Sequence, residues 1–176
     1  MPGPSVQLAG FVDPPPSMPL AGAALLGFAS GGKHWLVDPG QDVQVIDAAI
    51  TPVPLARPWY LGLVLHGQRL IAAIDLAGLG GADVGARKPV ERLLLLPERW
   101  RTALRVERVY GLRDASGMRA NEARPHLDQA SSAPDATPPW WGAMLTDADG
   151  QQWQILDVAQ LCTSPAFLQA GIPPAA

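Results

Sequence analysis

Apolar residues in this chain fall in short runs separated by glycine, proline and aspartate, and several runs are paired across tight turns. Leu25 to Phe28 and His34-Trp35-Leu36-Val37 flank Ser30-Gly31-Gly32-Lys33, which predicts a β-hairpin because glycine accepts the positive φ that short hairpin loops demand. Trp59 to Leu65 and Leu70 to Leu76 flank a second turn at His66-Gly67-Gln68. The near-continuous apolar character of Leu70 to Leu76 predicts a strand buried on both faces. Arg92 to Pro97, with Leu93-Leu94-Leu95-Leu96, is another apolar strand. A long strand is expected from Thr102 to Leu112, where the alternation of Leu104 and Val106 slips to Val109; one slip of phase reads as a β-bulge. Trp140 to Leu145 and Gln152 to Leu156 flank the turn Asp147-Ala148-Asp149-Gly150, and Asp157 is placed to cap a short helix. Val43, Val45 and Ile46 form a short extended segment or a helical turn, and the prolines between Thr51 and Pro58 exclude that stretch from the centre of a sheet.

This pattern gives about nine or ten short strands with hairpin spacing and little helix, an all-β layout that favours a barrel or sandwich. No repeat of fixed period is present, but Ile74-Asp75-Leu76-Ala77 and Leu156-Asp157-Val158-Ala159 are two apolar strands stopped in the same way by an aspartate. Three stretches stand apart. Residues 1–20 are proline-rich and are expected to be flexible. Residues 113–139 are polar, rich in Ala, Ser, Pro and Asp, and read as a flexible insertion in a folded unit spanning 21–170. Residues 171–176 form a tail.

Composition narrows the function classes. A net charge of −3, without clustered Lys and Arg, gives no nucleic-acid footprint. Arg99, Arg101, Arg105 and Arg108 read as the solvated side of a strand. The single cysteine, Cys162, excludes an internal disulfide and fits a reducing, cytoplasmic setting. No basic region suited to a signal peptide precedes the first apolar stretch, and Leu20 to Ala29 is far short of the ~20 residues a spanning helix needs.

Candidate chemistry is sparse. His34, His66 and His126 lack metal-ligand spacing, so no metal or cofactor is expected. Cys162 reads as core, no nucleophile elbow or phosphate loop is present, and Asp75 and Asp157 are better strand stops or helix caps than paired catalytic carboxylates. Of the six tryptophans, Trp35, Trp59 and Trp153 are expected in the core. Trp140 and Trp141 are adjacent on the expected strand, so one of the pair is expected to face away from the core.

The order of these blocks resembles the CheW-like adaptor family. The resemblance rests on Trp59-Tyr60-Leu61-Gly62 to Ile74-Asp75-Leu76, Arg105-Val106-Glu107-Arg108-Val109-Tyr110-Gly111-Leu112 and Gln154-Ile155-Leu156-Asp157-Val158. Trp35-Leu36-Val37-Asp38, Thr51-Pro-Val-Pro-Leu-Ala-Arg-Pro-Trp59 and Trp140-Trp141-Gly142 with Trp153 are similar to the PilI-like branch of type IV pilus chemosensory systems. The resemblance implies two small intertwined SH3-like five-stranded β-barrels sharing a hydrophobic seam, with minor helix. It implies a non-catalytic adaptor, free of cofactors, that joins the cytoplasmic tip of a methyl-accepting chemoreceptor to the regulatory domain of a CheA-like histidine kinase. Such an adaptor would be cytoplasmic and recruited to the inner face of the membrane through the receptor, in control of twitching motility.

Two departures stand out. The family's Asn-x-Arg-Gly turn is replaced by Leu65-His66-Gly67-Gln68, with Arg69 two positions beyond the missing arginine, and Val45 stands in a segment where the family often has a glutamate. Candidate partner contacts are Val43, Val45, Ile46, Leu65, His66, Gly67 and Arg69. Core packing is an equal reading for Val43 and Ile46, and a solvated turn charge is one for Arg69. The alternatives are a degenerate relative that binds receptor without coupling to kinase, and a small β-barrel ligand- or carbohydrate-binding module or enzyme built on the tryptophans.

Overall fold

The computed structural model describes residues 24–40, 43–121 and 137–171. The proline-rich 1–20 segment, His126 and most of the tail lie outside the described residues. The rest forms eleven strands in two mixed sheets. The first sheet takes both ends of the chain: β1 (Ala24–Ser30), β2 (Lys33–Val37), β8 (Arg108–Asp114), β9 (Arg119–Ala120), β10 (Trp141–Thr146) and β11 (Gln152–Leu156), in the order β8-β1-β2-β11-β10-β9. The second takes the middle: β3 (Gln44–Ala48), β4 (Tyr60–His66), β5 (Arg69–Ile74), β6 (Glu91–Leu95) and β7 (Thr102–Arg105), in the order β3-β6-β7-β5-β4.

Each sheet curls because its two edges come from consecutive pieces of chain. The segment following edge strand β3 reaches the opposite edge, where Thr51 and Leu63 of β4 exchange two backbone hydrogen bonds of 2.8 Å. Gly62 is required there: its φ is +138°, and a Cβ would lie 2.1 Å from the Thr51 carbonyl oxygen. In the first sheet, edge strand β8 is joined through a 3₁₀ turn, Ala115–Gly117, to β9 on the other edge. The result is two small barrels, one five-stranded and one with a sixth, two-residue strand.

The apolar runs explain how the barrels join. In β2, Leu36 points into the first barrel with Leu25, Leu145 and Trp153, while Trp35 and Val37 enter a seam between the barrels. In and just after β6, Leu93 and Leu95 fill the second barrel, while Leu94 and Leu96 enter the same seam. The period-2 geometry of a strand thus turns one leucine run into two cores. The seam also holds Phe28, Trp59, Trp140, Leu161 and Cys162. Three short helices serve it: α1 (Leu76–Leu79), α2 (Val158–Thr163) and α3 (Pro165–Leu168). The last of these returns the chain to the second barrel, where Phe167 stacks on Trp59 and the Arg57 N–H donates to the Ala170 carbonyl at 2.8 Å.

Four expectations are revised. The strand expected from Thr102 to Leu112 is two strands in two sheets, β7 and β8, and the chain changes barrels at Val106 and Glu107. A bulge does occur further on, at the β1–β8 register shift beside Gly27 and Phe28. The stretch 113–121, expected within a flexible insertion, completes β8 and supplies β9; residues 122–136 lie outside the described ones. Leu70 is 59% exposed, since β5 buries only its second half. Arg105, expected on a solvated face, is largely buried between Asp75 and Glu91, two acids distant in sequence.

Candidate functional site

The residues singled out as partner contacts separate into half-buried and exposed groups. Ile46, on the inward face of β3, packs against the core of the second barrel, and Val43, just before the strand, packs against the seam. Val45 faces outward and is 43% exposed, on the face where Asp47 pairs with Arg92 at 3.1 Å. The β4–β5 turn projects from the barrel. Leu65 is 68% exposed, and His66, Gly67 and Arg69 are exposed beside it. Arg69 forms an ion pair with Glu98, which comes from the 3₁₀ turn Glu98–Trp100.

Leu70 belongs with this group although its apolar run predicts a strand buried on both faces. The two-residue turn fixes Leu65 opposite Leu70, and residues directly opposite in an antiparallel pair share a face. Once Leu65 is taken as a surface residue, Leu70 follows, so the signal was in the turn length rather than in the apolar run. Val53 and Leu55 are also exposed, on the loop before β4, and Leu55 holds the left-handed φ of 57°. A non-glycine residue in that region costs about 1–2 kcal/mol.

A groove of about 310 Å³ runs beside the β4–β5 turn. His66, Gly67 and Arg69 border it together with Gln44, Glu98 and Arg101, over a floor that includes Ile71 and Leu95. The fold therefore brings the start of β3 near the hairpin turn, through Gln44. Val45 and Leu65 do not line the groove; they are exposed apolar residues next in sequence to Gln44 and His66, which do. An apolar surface rimmed by polar and charged side chains is suited to docking another protein.

The groups with catalytic potential are otherwise occupied. Asp75 caps α1 by accepting from the Gly78 N–H at 2.7 Å, and Asp157 caps α2 by accepting from the Gln160 N–H at 2.9 Å. Burial pushes the Cys162 thiol up to about 11, against a smaller opposing hydrogen bond from Thr102, so the thiolate needed for nucleophilic attack is suppressed. Among the described residues no three His, Cys, Asp or Glu side chains are grouped to hold a metal ion. Trp35, Trp59, Trp140 and Trp153 are buried, which removes them from any sugar-binding platform. Trp141 is half-buried, packed edge-on to Trp35, with the Lys33 ammonium 3.9 Å from its ring centre; contrary to expectation it packs on the same seam as Trp140, because β10 begins only at Trp141. No helix among the described residues is long and apolar enough to cross a membrane.

The fold has solved counterparts. The scaffolding protein TtCheW from Thermoanaerobacter tengcongensis superimposes with a TM-score of 0.59 at 17% sequence identity, over 78% of this chain and 90% of that one. No curated protein matches the sequence. A family model described as the CheW-like domain matches residues 25–166. The chain belongs to the CheW-like domain family, whose role in chemotaxis signalling is that of a non-catalytic scaffold or adaptor.

Proposed function

We propose that this chain is a coupling adaptor that binds the cytoplasmic tip of a methyl-accepting chemoreceptor and the regulatory domain of a CheA-like histidine kinase, in a system controlling type IV pili and twitching motility. The observation that carries the proposal is the exposed cross-strand pair Leu65 and Leu70, set beside the groove at His66, Gly67 and Arg69. Large apolar side chains held on a rigid two-residue hairpin offer docking area at little entropic cost. The resemblance of Trp35-Leu36-Val37-Asp38 and the Thr51–Trp59 stretch to PilI-like proteins supports the pilus system. In this role the protein works in the cytoplasm and reaches the inner face of the membrane through the receptor.

The test is direct titration of the purified full chain against the receptor tip and, separately, against the kinase regulatory domain. Micromolar binding to both is expected. Binding to neither, with both partners folded, overturns the proposal. Val45, exposed where the family often carries a glutamate, favours a second reading, a relative that has kept receptor binding and lost kinase coupling. Binding to the receptor alone supports that reading.

A further inference from the structure

We propose that the β1–β2 turn of the first barrel is a key seated in the second barrel, and that the contact of Gly31 with Ala77 sets the angle between the two barrels. The chain changes barrels between Arg105 and Arg108, and the turn is tied to that crossing on several sides. The Ser30 hydroxyl donates to the Arg105 carbonyl at 2.9 Å. The Glu107 N–H donates to the Ala29 carbonyl at 2.8 Å, and the Gly31 N–H donates to a Glu107 carboxylate oxygen at 2.9 Å. Beneath the turn lies α1. A Cβ on Gly31 would stand 2.2 Å from the Ala77 Cβ, so the turn rests on the helix with no room for a methyl group.

The seat is rigid for a reason that can be traced. Asp75 caps α1 with one carboxylate oxygen and receives Arg105 on the other. Arg105 is further held by the Gly85 carbonyl at 3.3 Å and by Glu91. The contacts close a ring, from Gly31 to Ala77, through α1 to Asp75 and Arg105, and back through Ser30 to the turn. A cavity of about 240 Å³ is bordered by the ring's own Gly31, Asp75, Ala77 and Arg105. The inference rests on the fold and does not depend on the adaptor role. For any two-partner scaffold it means that partners gripping different barrels are held at one mutual orientation.

Gly31 and Gly32 form a matched pair for the test. Both have left-handed φ, 61° and 71°, so alanine strains the backbone similarly at either position. Only at Gly31 does the added methyl meet anything; at Gly32 nothing lies within 4 Å. Ordinary carbon–carbon contact is about 3.5–4.0 Å, so Gly31→Ala must lift the turn by roughly 1.5 Å. Spin labels on Asp149→Cys in the first barrel and Val90→Cys in the second, both exposed, report the inter-barrel distance by pulsed dipolar spectroscopy. The Gly32→Ala distribution is expected to match that of the otherwise unsubstituted, labelled chain, and the Gly31→Ala distribution to shift or broaden. Coincidence of the Gly31→Ala and Gly32→Ala distributions overturns the proposal. If Gly31→Ala does not fold, Glu107→Ala, an exposed change that removes the acceptor for the Gly31 N–H, takes its place: broadening supports the key and an unchanged distribution overturns it.

Discussion

Asp75 donates its backbone N–H to the carbonyl of Trp59 at 2.8 Å, which locks the end of one hairpin strand to the start of the other. In the first barrel Asp157 does the same to Trp140 at 3.0 Å. In both places the strand pair carries a register shift near its aromatic end, and the aspartate then caps a helix. The two apolar-Asp endings in the sequence are thus equivalent corners of two related barrels. They differ in one respect: Asp75 also receives Arg105, while Asp157 has no cation among the described residues.

That difference predicts unequal responses to the same substitution. Asparagine caps a helix about as well as aspartate, so Asp157→Asn is expected to change stability by less than about 0.5 kcal/mol. Asp75→Asn keeps the cap but breaks a buried ion pair, and the expected loss is about 3 kcal/mol. Chemical denaturation of the two variants checks this, and equal losses would contradict it.

The alternating leucine run makes a second prediction. Leu93 and Leu94 are both fully buried, in different cores. Each change to alanine is expected to cost about 2–5 kcal/mol. Leu65→Ala and Leu70→Ala, on the surface, are expected to stay within about 0.5 kcal/mol of the parent. Thermal unfolding of the four single variants separates core from surface leucines that the sequence presents alike.

Cys162 gives a pH dependence with a defined sign. Burial raises its thiol from the ordinary 9.0 to about 11 in the folded chain. Between these values the unfolded chain has released the proton and the folded chain still holds it, so the unfolded state binds fewer protons and stability falls as pH rises. Below pH 9 this contribution is fully present, and it is lost as pH climbs toward 11. Unfolding midpoints measured from pH 8 to 11 are therefore expected to fall less steeply for Cys162→Ser than for the parent chain, after allowing for the variant's lower starting stability. Parallel slopes would show that the thiol is not desolvated.

Much of this architecture was legible in the sequence because turns and caps are local. Ser30-Gly31-Gly32-Lys33, His66-Gly67-Gln68 and Asp147 to Gly150 each joins the strands expected of it, and Asp157 caps its helix as its position implied. What was not legible depends on groups far apart in the chain. A strand that bulges and a strand that changes sheets break the period in the same way, so Val106 and Glu107 did not reveal the crossing. Arg105 sits in an alternating polar pattern, and nothing near it announces that Asp75 and Glu91 will bury it. The candidate surface was half legible: the exposed turn was found, while Leu70 was hidden in an apolar run and Gln44, Glu98 and Arg101 enter the groove from other elements.

Coupling is the central claim, and the most direct measurement is the autophosphorylation rate of the CheA-like kinase with receptor-bearing membranes, in the presence and absence of this chain. The account expects the chain to raise receptor-dependent kinase activity at least tenfold, equivalent to about 1.4 kcal/mol off the activation barrier. It expects a double Leu65→Ser, Leu70→Ser variant to lose most of that effect while remaining folded. Kinase activity that is indifferent to the chain, with receptor and kinase each active in their own assays, would contradict it.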